Sequence, residues 1–180
     1  SWNGSAWQTL ATNVANGAGW GGYLTDLPTG EGNITVYASV NTADAAVRLD
    51  VGVGDVFIVA GQSNAVGYGV TYYSYSSYNG LNVRVFNYNG QWGNGVDPAF
   101  NNAYPGGAMG AGKGTAWPIL GNYILNSAHI PVAFITTAIG ATSIINPNDW
   151  QRGTANYNRL VTLARLGTGW QYFNNVCKVK

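Results

Sequence analysis

The stretch Asp55-Val-Phe-Ile-Val-Ala-Gly-Gln-Ser-Asn-Ala-Val-Gly-Tyr-Gly69 decides the fold. Its first half is a continuous apolar run closed by glycine, the pattern of a strand buried on both faces of a parallel sheet. At Gln62 the polarity changes abruptly, and Gln62, Ser63 and Asn64 follow one another where the strand ends. In open α/β sheets ligands bind at the carboxyl ends of the strands, which puts this trio in the functional position. The same pattern also reads as a plain helix N-cap, since Ser and Asn satisfy the first free N–H groups of a helix.

Downstream segments supply the rest of an α/β sheet. Asn82–Trp92 (NVRVFNYNGQW) alternates and then turns at Asn89-Gly90, a hairpin signal. Ala116–Ala128 reads as a helix, with Pro118 in its first turn and a stripe of Ile119, Leu120, Tyr123, Ile124 and Leu125. Ile130–Gly140 is a second continuous apolar strand, and Ala155–Gly167 a second helix stopped by its glycine. Strand, loops, helix, strand, helix is the order of a sheet with helical crossovers. Upstream, residues 1–50 read as a separate β-rich element: Asn33–Val40 alternates, Ala45–Asp55 forms a short strand broken by glycines, and Leu27–Gly32 is a turn cluster. Residues 51–180 form the α/β domain.

Composition narrows the partners. Charged residues are only 8% and the net charge is +1, so no basic cluster exists to neutralise nucleic-acid phosphates or an anionic membrane surface. No apolar run reaches the ~20 residues of a membrane span. Aromatics at 13% and neutral polar residues must build the surface, which suits sugars and an extracellular or secreted protein. The single Cys177 cannot form an internal disulfide. The segment Gly67–Thr115 has little regular pattern; it holds a Tyr/Ser-rich run (Tyr68–Gly80) and a Gly-rich run (Pro105–Thr115), either a binding loop or loop packing.

Four blocks in order resemble the SGNH hydrolases, specifically the sialate O-acetylesterase-like and acetylxylan-esterase-like carbohydrate esterases: GQSN at Gly61–Asn64, Val83–Pro98 ending in Trp and then Asp-Pro, Gly112–Leu125 around Thr-Ala-Trp-Pro, and Ile130–Trp150 with Gly-Ala-Thr-Ser. Asn156–Leu160 matches a helix that follows, so the resemblance covers roughly residues 51–166. It implies a three-layer α/β/α, flavodoxin-like parallel sheet, C-terminally incomplete, and hydrolysis of an acetylated carbohydrate or small ester with neither cofactor nor metal. Carried over position by position, Ser63 is the nucleophile and its own N–H the first oxyanion donor. Gly114, or its neighbour Thr115, supplies the second donor. Gly140 and Thr142 border the pocket, and Gln62 and Asn64 organise the turn. Ala141 departs from the family's second glycine, a costly choice if that position needs positive φ.

A serine needs a base, and the family's late Asp-x-x-His and Gln-Gly-Glu blocks do not occur here. The one histidine, His129, falls between helix and strand, at the amino ends of the strands. Asp55 lies at that end too, whereas Asp97 falls among the active-site loops in a segment that reads as structural. Asp149 and Arg152 read as surface charges. Three expectations follow: a fragment of a longer esterase whose base lies in absent sequence or a second polypeptide; an inactive glycan-binding or structural module; or an altered base. A general small-ester hydrolase is the remaining alternative.

Overall fold

The computed structural model describes residues 8–15, 18–22, 24–38, 41–73, 77–97, 114–167 and 173–176. Cys177, the loop residues 74–76 and most of the Gly-rich run lie outside these. Two units divide the chain, and the boundary falls between Val53 and Gly54. The first unit contains β1 (Gly19–Gly22), β2 (Gly30–Ala38) and β3 (Asn41–Val53). β2 and β3 form an antiparallel pair whose register shifts twice, between Gly32 and Ile34 and between Val36 and Ala38. The strand expected to be short and broken is thus the longest of the described strands. The C-terminal strand, Phe173–Val176, pairs antiparallel with β1 and belongs to this unit, not to the α/β unit in which the sequence placed it.

The second unit carries the motifs. It contains β4 (Asp55–Val59), the single turn α1 (Ser63–Val66), β5 (Val83–Phe86), β6 (Trp92–Asn94), α2 (Trp117–Ala128), β7 (Val132–Thr136) and α3 (Ala155–Gly167). The sheet order is β4-β7-β5-β6. β7 is parallel to both β4 and β5, while β6 folds back antiparallel on β5 through the Asn89-Gly90 turn. Asn87 builds that turn: its Oδ1 accepts from the N–H groups of Asn89 and Gln91, and Gly90 takes φ 77°.

Period-two alternation divides the strands into two faces. Val83, Val85, Val132 and Phe134 pack with Leu125 of α2 on one face. Phe86 and Ile135 pack with Leu163 of α3 on the other. The helices therefore cover opposite faces, giving a three-layer α/β/α unit. Full burial of Leu125, Val132, Phe134 and Ile135 contributes about 1.5–3 kcal/mol each.

Three details depart from the sequence reading. β4 is not buried on both faces: Val56, Phe57 and Ile58 are 41%, 38% and 44% exposed. The reason is position, because β4 is an edge strand hydrogen-bonded to β7 alone among the described strands. Next, α2 buries only part of the expected stripe, Leu125 fully and Ile119 and Ile124 in part. Leu120 and Tyr123 face solvent, and Pro118, Gly121 and Leu125 face the sheet. Gly121 is there because a Cβ would stand 2.6 Å from Val83 Cγ1 and 3.0 Å from Phe134 Cε2. Last, Gly167 does more than stop α3; it is buried where a Cβ would stand 2.8 Å from Ile135 Cδ1. Arg159 of the same helix lays its guanidinium on the Tyr88 ring, 3.3 Å from the centroid, and donates to the Tyr88 carbonyl.

Alanine is the better helix former, yet Gly121→Ala is expected to destabilise the α/β unit by about 1–2 kcal/mol, overpacking outweighing propensity. Urea unfolding measures this, and a higher midpoint for the alanine variant would contradict the packing described.

Candidate active site

Ser63 opens a single helical turn immediately beyond the carboxyl end of β4. The turn is reached through Gly61 at φ 136° and left through Gly67 at φ 118°, conformations open to glycine. Gln62, not Ser63, occupies the N-cap position, and no side chain caps the turn. The plain-cap reading of the motif therefore fails, and the Ser63 hydroxyl has no hydrogen-bond partner among the described residues. Gln62 organises the turn through its carbonyl, which accepts from the N–H groups of Ala65 (2.9 Å) and Val66 (3.1 Å). The side chains of Gln62 and Asn64 are exposed and make no bond to described residues.

β7 seats this turn. Beyond the end of the strand, the N–H of Thr137 donates to the Val59 carbonyl (2.9 Å) and that of Ile139 to the Gly61 carbonyl (2.8 Å). The buried Thr137 adds its hydroxyl to the same Val59 carbonyl. The parallel ladder thus runs on into the motif and brings Gly140, itself buried, beside the Ser63 turn. Thr142 closes the adjoining loop: its hydroxyl donates to the Ile139 carbonyl (2.7 Å) and accepts from the Trp150 indole N–H (2.9 Å). Asp149 is a loop staple as well as a charge, accepting from the Ser143 N–H at 2.7 Å. Arg152 is exposed. Ala141 sits at φ 59°, so the family's glycine is replaced at a left-handed position.

The two expected second oxyanion donors are both engaged elsewhere. The Gly114 N–H donates to the Gly69 carbonyl (2.8 Å), and Gly69 returns the bond (2.9 Å). Glycine is required at 114 by the Thr71 carbonyl, which occupies the space a Cβ would need. The Thr115 N–H donates to Asp97 Oδ2 at 3.0 Å. The Ser63 N–H, by contrast, donates to no described acceptor, as an oxyanion donor requires.

Neither His129 nor Asp55 can reach Ser63. His129 caps α2 in the left-handed region, donates its N–H to the Leu125 carbonyl and stacks its ring on Tyr78, 4.5 Å between centroids. It precedes β7 at the end where Asp55 pairs with Val132, while Ser63 lies past Gly61 at the other end. From Val132 to Ile139 the chain covers roughly 20 Å at strand spacing. Tyr78 is thereby loop packing at the far end, whereas Tyr68, Tyr72 and Tyr73, which follow α1, are exposed.

Sequence reasoning missed Trp117, whose indole N–H donates to the Ala65 carbonyl in the Ser63 turn at 2.8 Å. The Trp-Pro pair was legible only as a helix start. Among the described residues, no three His, Cys, Asp or Glu side chains gather to hold a metal ion, and no helix is long and apolar enough to cross a membrane.

Residues 53–171, well over half of the chain, match the family described as carbohydrate esterase, sialic acid-specific acetylesterase. The chain belongs to this family. No curated protein matches it. Among solved structures, the 1.6 Å X-ray structure of an Arabidopsis thaliana protein is similar, with a TM-score of 0.50 and 18% identity over 63% of this chain and 51% of that one. At that identity the likeness concerns the fold, and this esterase-family chain spans about half the length of the plant protein.

Ala141→Gly relieves the left-handed alanine at the cost of a more flexible unfolded chain, and is expected to stabilise the protein by about 0.5–1 kcal/mol. Thermal unfolding checks it; a lowered midpoint would show that Ala141 is not held at positive φ.

Proposed function

We propose that this chain carries the nucleophile of a serine esterase that removes O-acetyl groups from a glycan. The observation that carries the reading is the Ser63 hydroxyl, without a partner among the described residues, on a turn at the carboxyl end of β4 within the segment that matches the family. Ser63 Oγ attacks the acetyl carbonyl and gives up its proton to a base. The carbonyl oxygen becomes an oxyanion facing the Ser63 N–H, the sugar hydroxyl departs with a proton, and water then hydrolyses the acetyl-enzyme. The base comes from outside these 180 residues, from a continuation of the chain or a second polypeptide, since the only histidine stands at the other end of the sheet. The family description supports an acetylated carbohydrate as substrate. A neutral, aromatic-rich surface suits an extracellular or secreted location.

A fluorophosphonate probe tests the nucleophile. With the base-supplying part present, covalent labelling of the chain is expected, with its loss in Ser63→Ala, while labelling and aryl-acetate turnover by the chain alone stay close to background. Labelling indifferent to Ser63→Ala would sink the proposal. Glycan binding that persists in that variant, with no labelling at all, would instead favour a non-enzymatic binding module. Acetylated xylan, O-acetylated sialic acid and simple esters, compared with the base-supplying part present, separate glycan esterase from general ester hydrolase.

A further inference from the structure

The turn that carries Ser63 has little stability of its own. Four residues cannot offset the cost of helix nucleation, and a positive-φ glycine flanks each side. Three attachments hold it: Ile139 N–H on the Gly61 carbonyl before it, the Trp117 indole on the Ala65 carbonyl within it, and the Gly69–Gly114 pair of hydrogen bonds after it. The second and third both come from the segment Gly114–Trp117. At its end Trp117 opens α2 and packs on Phe134, 6.0 Å between ring centroids, and at its start one side chain fastens it. Asp97 Oδ2 accepts from the Thr115 N–H (3.0 Å) and the Tyr73 N–H (3.2 Å), and Oδ1 from the Thr115 hydroxyl (2.9 Å). The Asp97 N–H closes the knot on the Tyr73 carbonyl at 2.9 Å.

We propose that Asp97 is a positioning residue for Ser63: its carboxylate fixes Thr115, and through Thr115 the Trp117 indole that holds the nucleophile turn. The proposal rests on the reading of Ser63 as nucleophile. Its chemistry distinguishes it from a proton-transfer role. Three donors converge on Asp97, and a carboxylate is purely an acceptor, so all three are met. Asparagine can nearly reproduce this: its carbonyl oxygen accepts both backbone N–H groups, and its amide N–H₂ donates to the Thr115 hydroxyl, which rotates to accept. Alanine can do neither. Positioning therefore predicts that asparagine is tolerated and alanine is not, whereas a base would be lost equally in both.

The test compares wild type, Asp97→Asn and Asp97→Ala by two readouts. One is the rate of Ser63 labelling by a fluorophosphonate. The other is hydrogen exchange of the Trp117 indole N–H by NMR, its signal assigned through Trp117→Phe. Asp97→Ala is expected to slow labelling roughly tenfold or more and to speed indole exchange, while Asp97→Asn stays within about twofold of wild type in both. Equal losses in Asp97→Asn and Asp97→Ala, or an indole as protected in Asp97→Ala as in wild type, would overturn the proposal. Should Asp97→Ala fail to fold, Thr115→Val takes its place, removing the hydroxyl donor and leaving the N–H; unchanged indole exchange there would be equally contrary. Labelling is measured with the base-supplying part present; if wild-type Ser63 takes no label there, the esterase reading falls, and the indole exchange still decides whether Asp97 holds the turn.

Discussion

The hydrogen bonds that carry the β4–β7 ladder beyond both strands, Thr137 to Val59 and Ile139 to Gly61, are what the site depends on. Among the described strands β4 is an edge strand, with three of its apolar side chains more than a third exposed, so no described strand supports the motif from its outer side. The described hydrogen bond that locates Gly61 comes from the inner side, from Ile139. β7 can do this because it is the strand most firmly held. It has parallel neighbours on both sides, α2 over Val132 and Phe134, and α3 over Ile135. Its threonines extend the grip: Thr136 donates to the Phe86 carbonyl on one side and Thr137 to Val59 on the other. The rigidity of a packed core is thereby passed to a turn that could not form alone.

Much of this was legible in sequence, and what was not has physical reasons. The apolar runs at Asp55–Gly61 and Ile130–Gly140 located the strands, and Pro118 and Gly167 bounded the helices. An apolar run cannot say how many neighbours a strand has, so β4 read as interior although it is an edge. Glycine carries no polarity, so the buried face of α2 through Gly121 was invisible to a stripe of apolar residues. At the site, Ser63 and its place beyond a strand were legible from the motif. The Trp117–Ala65 bond was not, because 52 residues separate its partners and only the folded sheet joins them. For the same reason Gly114 read as an oxyanion donor, when its backbone is spent on Gly69 and its missing side chain makes way for Thr71.

Ser63 stands at a strand end on a one-turn helix, and neither its N–H nor its hydroxyl bonds to another described residue. His129 is committed to capping α2 and stacking on Tyr78 at the opposite end of the sheet. A serine hydroxyl without a base is a weak nucleophile at neutral pH.

Amide hydrogen exchange of Ile139 tests most directly whether β7 seats the Ser63 turn. The account predicts protection within about tenfold of that of Phe134 in the strand core, since both amides would open only with the sheet. Exchange of Ile139 at the rate of an open loop, with Phe134 still protected, would contradict it: Gly61 would then be untethered, and Ser63 would have no fixed position at the strand end.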